Sequence, residues 1–205
     1  MQWRLIEEDV SVLEDYQRVA ISFRVESVLE VCPVDHGLGG IVFTERRVES
    51  PYLKDYDAIS GEGPTRWAKR WDISRWGVIS AFLGDERIGG CVIAYDTEGV
   101  EKLEGRKDIA ALWDLRVRPD YRRRGVGSQL FEAAVEWAAR RGCRCLKVDT
   151  QNINVAACRF YAKHGGVLGV INRYAYSEFP DETELVWYRH IPNVGGSGMK
   201  SDDGS

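Results

Sequence analysis

The chain reads as a mixed α/β (α+β) protein, and three patterns predict it. Segments with apolar residues at every second position, such as Ile21-Ser22-Phe23-Arg24-Val25 and Leu112-Trp113-Asp114-Leu115-Arg116-Val117, have the period of half-buried strands. Two pairs of such segments are separated by short glycine-bearing stretches, Gly37 to Gly40 and Gly84-Asp85, which join neighbours as antiparallel hairpins. Between Leu112 and Val148 the order is instead strand, helix, strand, and a crossover of that kind lays its two strands parallel.

From the N-terminus, Trp3 to Leu5 predict a first strand, and Glu7 to Tyr16 a short helix with acids in its first turn. Ile21 to Val31 and Ile41 to Thr44 with Val48 form the first hairpin. Pro51 to Gly77 is irregular: Tyr52, Tyr56, Trp67, Trp71 and Trp76 are interleaved with Asp55, Asp57, Glu62 and Asp72, and Trp67 and Trp71, four apart, mark a short helix. These aromatics either cover the core or make a substrate lid whose rings and carboxylates hold a cation. Val78 to Leu83 pairs with Arg87 to Tyr95, and a charged loop, Asp96 to Asp108, leads into the Leu112 strand. Pro119 stops that strand because proline has no N–H for the ladder.

Val126, Leu130, Ala134 and Trp137 then recur at helical spacing as far as the stop signal Arg140-Arg141-Gly142. Cys143 to Val148 is the next strand, expected to run parallel to Leu112–Val117. Asn154 to His164 is a second helix ended by Gly165, and Val167 to Ile171 and Thr183 to His190 supply the last strands. One domain over residues 1–192 is expected, followed by a polar glycine/serine tail over 193–205 that is expected to be disordered.

At 205 residues, with 44% hydrophobic and 29% charged residues, the composition is that of a globular protein able to bury a real core. No membrane span is visible and MQWRLIEEDV has no apolar signal region, so a cytoplasmic protein without a membrane partner is expected. A net charge of −4 with one short basic run argues against nucleic acid. An acidic protein with a basic anion site favours an anionic co-substrate and a cationic acceptor. Cys32, Cys91, Cys143, Cys145 and Cys158 read as buried free thiols; Cys143-x-Cys145 is not a zinc spacing, and no metal is expected.

The run Arg122-Arg123-Arg124-Gly125-Val126-Gly127-Ser128 falls where the helix begins. A helix start leaves backbone N–H groups unpaired and carries about half a positive charge. Glycines there let a phosphate approach those amides, and flanking arginines add attraction and bidentate contacts, so the loop is a candidate diphosphate cradle. It is not a Walker A loop, since no Gly-Lys-Ser/Thr follows, and Leu130 replaces the third glycine of a dinucleotide fingerprint. The plain alternative is a basic surface turn with a glycine kink.

A second motif, Asn154-x-x-Ala157-x-x-x-Tyr161, follows one strand later. Ala157 and Tyr161 share a helix face with Asn154, leaving room for a slender ligand between an amide and a phenol. Arg122-x-x-Gly125-x-Gly127 after Val117-Arg118-Pro119, with this second motif, resembles the GNAT superfamily of N-acyltransferases. Shorter segments, Ser50 to Tyr56, Asp149 to Asn154, Gly169 to Tyr176 and Val186 to Tyr188, look like its streptothricin acetyltransferase branch. Gly165-Gly166 departs from the branch's usual glycine and aromatic, and Asn172 stands where an acid is usual.

The resemblance implies a GNAT-like mixed, mostly antiparallel central sheet with a parallel strand pair around the acyl-CoA site and helices on both faces. It implies acetyl-CoA as co-substrate, held by Leu115, Arg116 and Val117 of the strand and by Arg122, Arg123, Arg124, Gly125, Val126, Gly127 and Ser128 of the loop. Asn154, Ala157 and Tyr161 approach the pantetheine arm, with the Tyr161 hydroxyl near the sulfur. Asp149, Tyr174 and Tyr176 are the expected acceptor contacts, and the partner is a small-molecule amine handled by a monomer or homodimer.

Direct transfer from thioester to amine needs no protein nucleophile, but the amine must arrive neutral. A lysine-like amine of pKa ~10.4 is neutral in about one part in a few thousand at pH 7. Asp149, at the C-terminal end of its strand, is the first candidate base and Asp114 the second; a water chain is equally available, since an aspartate near ~3.9 is a weak base unless burial raises it. Each aspartate has a structural alternative, pairing with an arginine such as Arg116 or Arg173.

A strand amide within Leu115 to Val117 is the candidate oxyanion donor. Tyr161 is expected to stabilise the departing sulfur by hydrogen bonding, because a phenol near ~10 does not fully protonate a thiolate whose parent thiol is near ~8.5. His164, at a helix end, reads as a cap. The expected activity is acetyl-CoA-dependent N-acetylation of a primary amine on a small cationic molecule. A streptothricin-type antibiotic is the first candidate, with antibiotic resistance as the associated role. The alternatives are acetylation of a protein lysine or N-terminus, which requires an open groove, and a non-catalytic acyl-CoA sensor.

Overall fold

The structure, a computed structural model, describes residues 2–192, and the tail expected over 193–205 lies outside the described residues. In chain order the strands are β1 (Arg4–Glu8), β2 (Phe23–Pro33), β3 (Ile41–Lys54), β4 (Gly77–Leu83), β5 (Glu86–Tyr95), β6 (Ile109–Val117), β7 (Cys145–Gln151), β8 (Val167–Asn172) and β9 (Glu184–His190). The helices are α1 (Leu13–Tyr16), α2 (Pro64–Arg70), α3 (Val126–Arg140) and α4 (Val155–Lys163). Seven strands form one sheet in the order β1-β4-β5-β6-β7-β9-β8, and β2 and β3 form a separate two-stranded ribbon. Every pairing in the sheet is antiparallel except that of β6 with β7.

The central strands are apolar on both sides, so both faces need cover. Along β5, Cys91 and Ile93 face the core under α3 and α4, while Val92 and Ala94 face a second core with Tyr16 of α1 and Trp67 of α2. Close approach fixes a glycine here: a Cβ at Gly90 would lie 2.6 Å from the Tyr16 ring. The helix expected over Glu7 to Tyr16 is shorter than its pattern. β1 runs on through Glu8, and Asp9, whose carboxylate accepts from Ser11 N at 2.9 Å, starts a single 3-10 turn before α1.

The parallel pairing differs in place from the expectation. It spans Ile109, Ala110 and Ala111 against Cys145, Leu146 and Lys147, and does not continue along Leu112–Val117. Trp113 is the reason: β5 pairs Val92 with Asp114 and Ile93 with Leu112, so Trp113 is an extra residue that bulges and bends β6 away from β7. Beyond Ala111 the two strands diverge.

The aromatic segment is mostly core. Trp67 and Trp76 are buried and pack with Trp71 around Trp113, whose ring centroid lies 5.0 Å from that of Trp71 and 5.1 Å from that of Trp76. The ribbon is stitched to the sheet by Asn152, which donates to Leu29 O at 3.1 Å and accepts from Thr183 N at 2.8 Å, and by the buried Lys54–Glu182 pair at 2.5 Å. Among the described residues no helix is long and apolar enough to cross a membrane.

Candidate active site

A cleft of about 890 Å³ opens where β6 and β7 diverge, because the β6 edge beyond Ala111 has no partner on that side. One wall is β6, the loop after it and the starts of α3 and α4. Gly125, with φ +97°, caps α3 in a conformation that a side chain strains, and Arg123 precedes it at φ +60°. Gly127 lies inside α3 without such strain. A Cβ there would meet Val117 and Phe160 only at ordinary distances, 3.7 and 3.8 Å, so the protein itself does not demand glycine and the space belongs to the cleft.

The three arginines of the loop do different things. Arg122 donates from Nε to Val117 O and from Nη2 to Ser22 O, both at 2.8 Å, so it staples the loop to the segment before β2 and does not point free toward an anion. Burial holds its guanidinium below the ordinary range. Arg123 and Arg124 are exposed, and Arg123 borders the cleft. Ser128 borders it too, its Oγ 3.0 Å from His164 Nε2, while His164 Nδ1 lies 3.2 Å from Glu132 Oε1. His164 is the C-cap of α4 as expected, and it also bridges to α3.

Asn154 is the N-cap of α4, its Oδ1 accepting from Ala157 N at 3.1 Å. Asn154, Ala157 and Tyr161 all line the cleft with Leu115, Arg116 and Val117. Val126 is fully buried in the core below the loop. Tyr161 is 7% exposed, and its hydroxyl makes no hydrogen bond among the described residues; burial first, and then the Asp149 charge, push the phenol above its usual range.

The two candidate aspartates are sharply different. Asp114 is gripped by Arg116, Nε to Oδ1 at 2.9 Å and Nη2 to Oδ2 at 2.6 Å, and accepts from the Tyr16 hydroxyl at 2.5 Å. Arg116 also pairs with Asp57 at 2.8 Å and donates to Val19 O, so its buried guanidinium faces the α1 side and any co-substrate contact falls to its backbone. Burial works against that charge, but Asp114, together with Tyr16 and Asp57, holds Arg116 above its usual range. Asp149 stands at the cleft, its carboxylate 2.5 Å from Lys102 Nζ.

The opposite wall comes from scattered segments. Tyr56 donates to Gln151, and Gln151 donates to the Tyr176 hydroxyl at 2.8 Å, a belt across the end of the cleft. Burial raises both phenols well above their usual range. Glu184 and Phe179 complete this wall. Tyr174, an expected acceptor contact, is 88% exposed and outside the cleft, because it sits on the outer side of the turn that brings Tyr176 inward. Gln151 fell within the Asp149 to Asn154 resemblance without a role, and Lys102 and Glu184 were in no motif; Lys102 lies in a loop full of charges, where spacing carries no signal.

Residues 44–166 match the Acetyltransferase (GNAT) family. The chain is 31% identical to streptothricin acetyltransferase A of Bacillus subtilis strain 168, covering 71% of this chain and 78% of that protein. It is 31% identical to a streptothricin acetyltransferase of Escherichia coli, covering 81% and 84%. Among solved structures, a protein assigned as a streptothricin acetyltransferase from Bacillus anthracis strain Ames, in complex with acetyl coenzyme A, superposes with a TM-score of 0.70 at 26% identity, covering 92% of this chain and 99% of that one. With the loop, the diverging strands and the α4 motif around one cleft, the chain belongs to the GNAT family and is an N-acetyltransferase whose co-substrate is acetyl-CoA.

Proposed function

We propose that the protein transfers the acetyl group of acetyl-CoA directly to a primary amine of a small cationic molecule, with streptothricin-type antibiotics as the first acceptors to test. One domain over residues 1–192 carries this reaction in the cytoplasm, and resistance to such an antibiotic is its role. The observation that supports it is the character of the acceptor wall: the carboxylates of Asp149 and Glu184 beside the rings of Trp113, Tyr56 and Tyr176 in one cleft. Carboxylates attract ammonium groups and ring faces hold them. The Tyr56–Gln151–Tyr176 belt lies across the end of the cleft that a protein chain would have to thread, which favours a small acceptor over a peptide.

In this reading the free amides at the start of α3 and the exposed Arg123 and Arg124 hold the diphosphate, and Arg122 keeps their loop in place. Asp149 receives the amine proton, directly or through a water, because Asp114 is already committed to Arg116 and Tyr16. The neutral amine attacks the thioester carbon, the oxyanion that forms meets an unpaired β6 amide, and as the C–S bond breaks the second proton of the attacking nitrogen passes through water to the departing thiolate, leaving an amide and the free thiol of CoA. Tyr161, held protonated by its burial, donates a hydrogen bond to the departing thiolate. Thiol release from acetyl-CoA, with streptothricin and lysine-bearing peptides as competing acceptors, tests the proposal. Turnover with streptothricin is expected, and acetylation of peptides alone overturns it.

A further inference from the structure

Lys102 is a cation in a place where the reaction calls for one from outside. Its Nζ lies 2.5 Å from Asp149 Oδ1 and 4.5 Å from the centroid of the Trp113 ring. A second carboxylate, Glu184, faces the same space from β9. Burial, and next the charge of Asp149, hold its carboxyl above the usual range, with Lys102 and Lys147 opposing. Lys147 is already paired with Glu104 at 2.7 Å, so Lys102, paired with Asp149, is the cation left at the cleft beside Glu184. An anion and a ring face together are the two elements that recognise an ammonium group, and here an ammonium is already seated on both.

The segment that carries Lys102 does not depend on this seat. Lys102 is in a 3-10 turn, Glu101–Leu103, whose next residue Leu103 is 1% exposed in the core and whose following Glu104 is tied to Lys147. The Lys102 side chain is 30% exposed, on a flexible four-carbon stem, so its ammonium can swing out to water while the turn stays anchored. The pair lies inside the cleft, on the aspartate that in the acceptor reading faces the reacting amine.

Resting on the acceptor reading above, we propose that the space bounded by Asp149, Glu184 and Trp113 is an ammonium subsite for the acceptor, and that Lys102 is its resident occupant, displaced when the acceptor binds. Two carboxylates and one removable cation set the selectivity: a diamine, which offers two charges, competes with Lys102 better than a monoamine does. Lys102 thereby acts as a specificity-determining residue that raises the threshold for weakly charged amines.

Calorimetric titration of cadaverine, a plain diamine, into the full chain tests this without requiring turnover. Lys102→Met is expected to bind cadaverine about fivefold to tenfold more tightly than wild type, since the competitor is gone, and Asp149→Asn to bind it more weakly. Lys107→Met is the control for general electrostatics: Lys107 is on the same loop, 76% exposed and paired with Asp96, and its loss is expected to leave the affinity unchanged. Lys102→Gln repeats the test should the methionine variant fail to fold. Unchanged or weaker cadaverine binding in a folded Lys102 variant overturns the proposal, as does an equal gain from Lys107→Met, or no cadaverine binding in any variant. A chain that shows the expected titrations yet acetylates no small amine keeps the subsite and loses the acceptor assignment.

Discussion

The two walls of the cleft are built on opposite plans. The co-substrate wall is contiguous: β6, its loop, α3, β7 and α4 follow one another in the chain, and most of what they offer is backbone, at a bent strand edge and a helix start. The wall proposed for the acceptor is assembled from side chains of scattered segments, Tyr56, Lys102, Gln151, Tyr176 and Glu184. Backbone geometry tolerates exchange of neighbouring side chains, whereas a wall of side chains changes with each substitution. One fold can therefore keep its acetyl donor while its acceptor varies.

Changes at five positions would break or sharpen this contrast. The largest effect is expected at Tyr161, where the walls meet. Tyr161→Phe should lower kcat about 30–100-fold with little change in acetyl-CoA affinity, because the hydroxyl's partner becomes charged only as the sulfur departs. Steady-state kinetics beside calorimetry separate the two, and an unchanged kcat would return Tyr161 to a packing role. Next is Gly125→Val, which forces a branched side chain into φ +97° and should weaken acetyl-CoA binding about tenfold or more. Intact affinity in a folded variant would mean that the loop does not hold the diphosphate.

The basic run supplies a smaller and more discriminating comparison. Arg122→Ala should cost about 1–2 kcal/mol of stability, since it removes hydrogen bonds from a half-buried cation to two carbonyls, and Arg122→Lys should not restore it. Arg124→Ala should leave the melting temperature alone and weaken acetyl-CoA in a salt-dependent way. Reversed outcomes would exchange the roles of staple and anion contact. The smallest effect concerns Glu184. Its carboxyl is raised in the folded state, so its ionised form destabilises the fold at neutral pH, and that penalty disappears as pH falls through the raised value to the ordinary one. Glu184→Gln should therefore stabilise the fold at pH 7, by less than about 1 kcal/mol because the group is partly open to solvent, and give no gain near pH 4. Equal gains at both pH values would point to packing instead of charge.

Contiguity also explains what the sequence disclosed. The diphosphate loop and the α4 motif are local patterns, and residues three and four apart on a helix must share a face, so both lie at the cleft as expected. Arg122 lines the cleft as expected, but its stapling role was not legible, because its partner Ser22 O comes from 100 positions away and no periodicity reports that. Asp114 and Arg116 alternate on one strand, which reads as a candidate base beside a candidate anion contact; Tyr16 and Asp57, which turn the pair into a buried network, come from α1 and the loop before α2. The bulge at Trp113 leaves no mark in a pattern of alternating residues, and so the strand pairing was expected too far along β6. Lys102 is one charge among many in its loop until the fold seats it on a ring.

The divergence of β6 from β7 has a consequence for the whole sheet. It leaves two leaves, β1-β4-β5-β6 and β7-β9-β8, hinged where Ile109 to Ala111 meet Cys145 to Lys147. In the proposed binding mode a co-substrate lodged in the opening would touch both leaves and become their clasp. By linkage, a clasp that resists separation of the leaves is itself held more tightly by whatever keeps them together. Contacts that join the two leaves away from the cleft, such as Arg144 N donating to Asp108 O at 2.8 Å just before β7 and β6, are then expected to contribute to acetyl-CoA affinity without touching it, and saturating acetyl-CoA is expected to protect the hinge from opening.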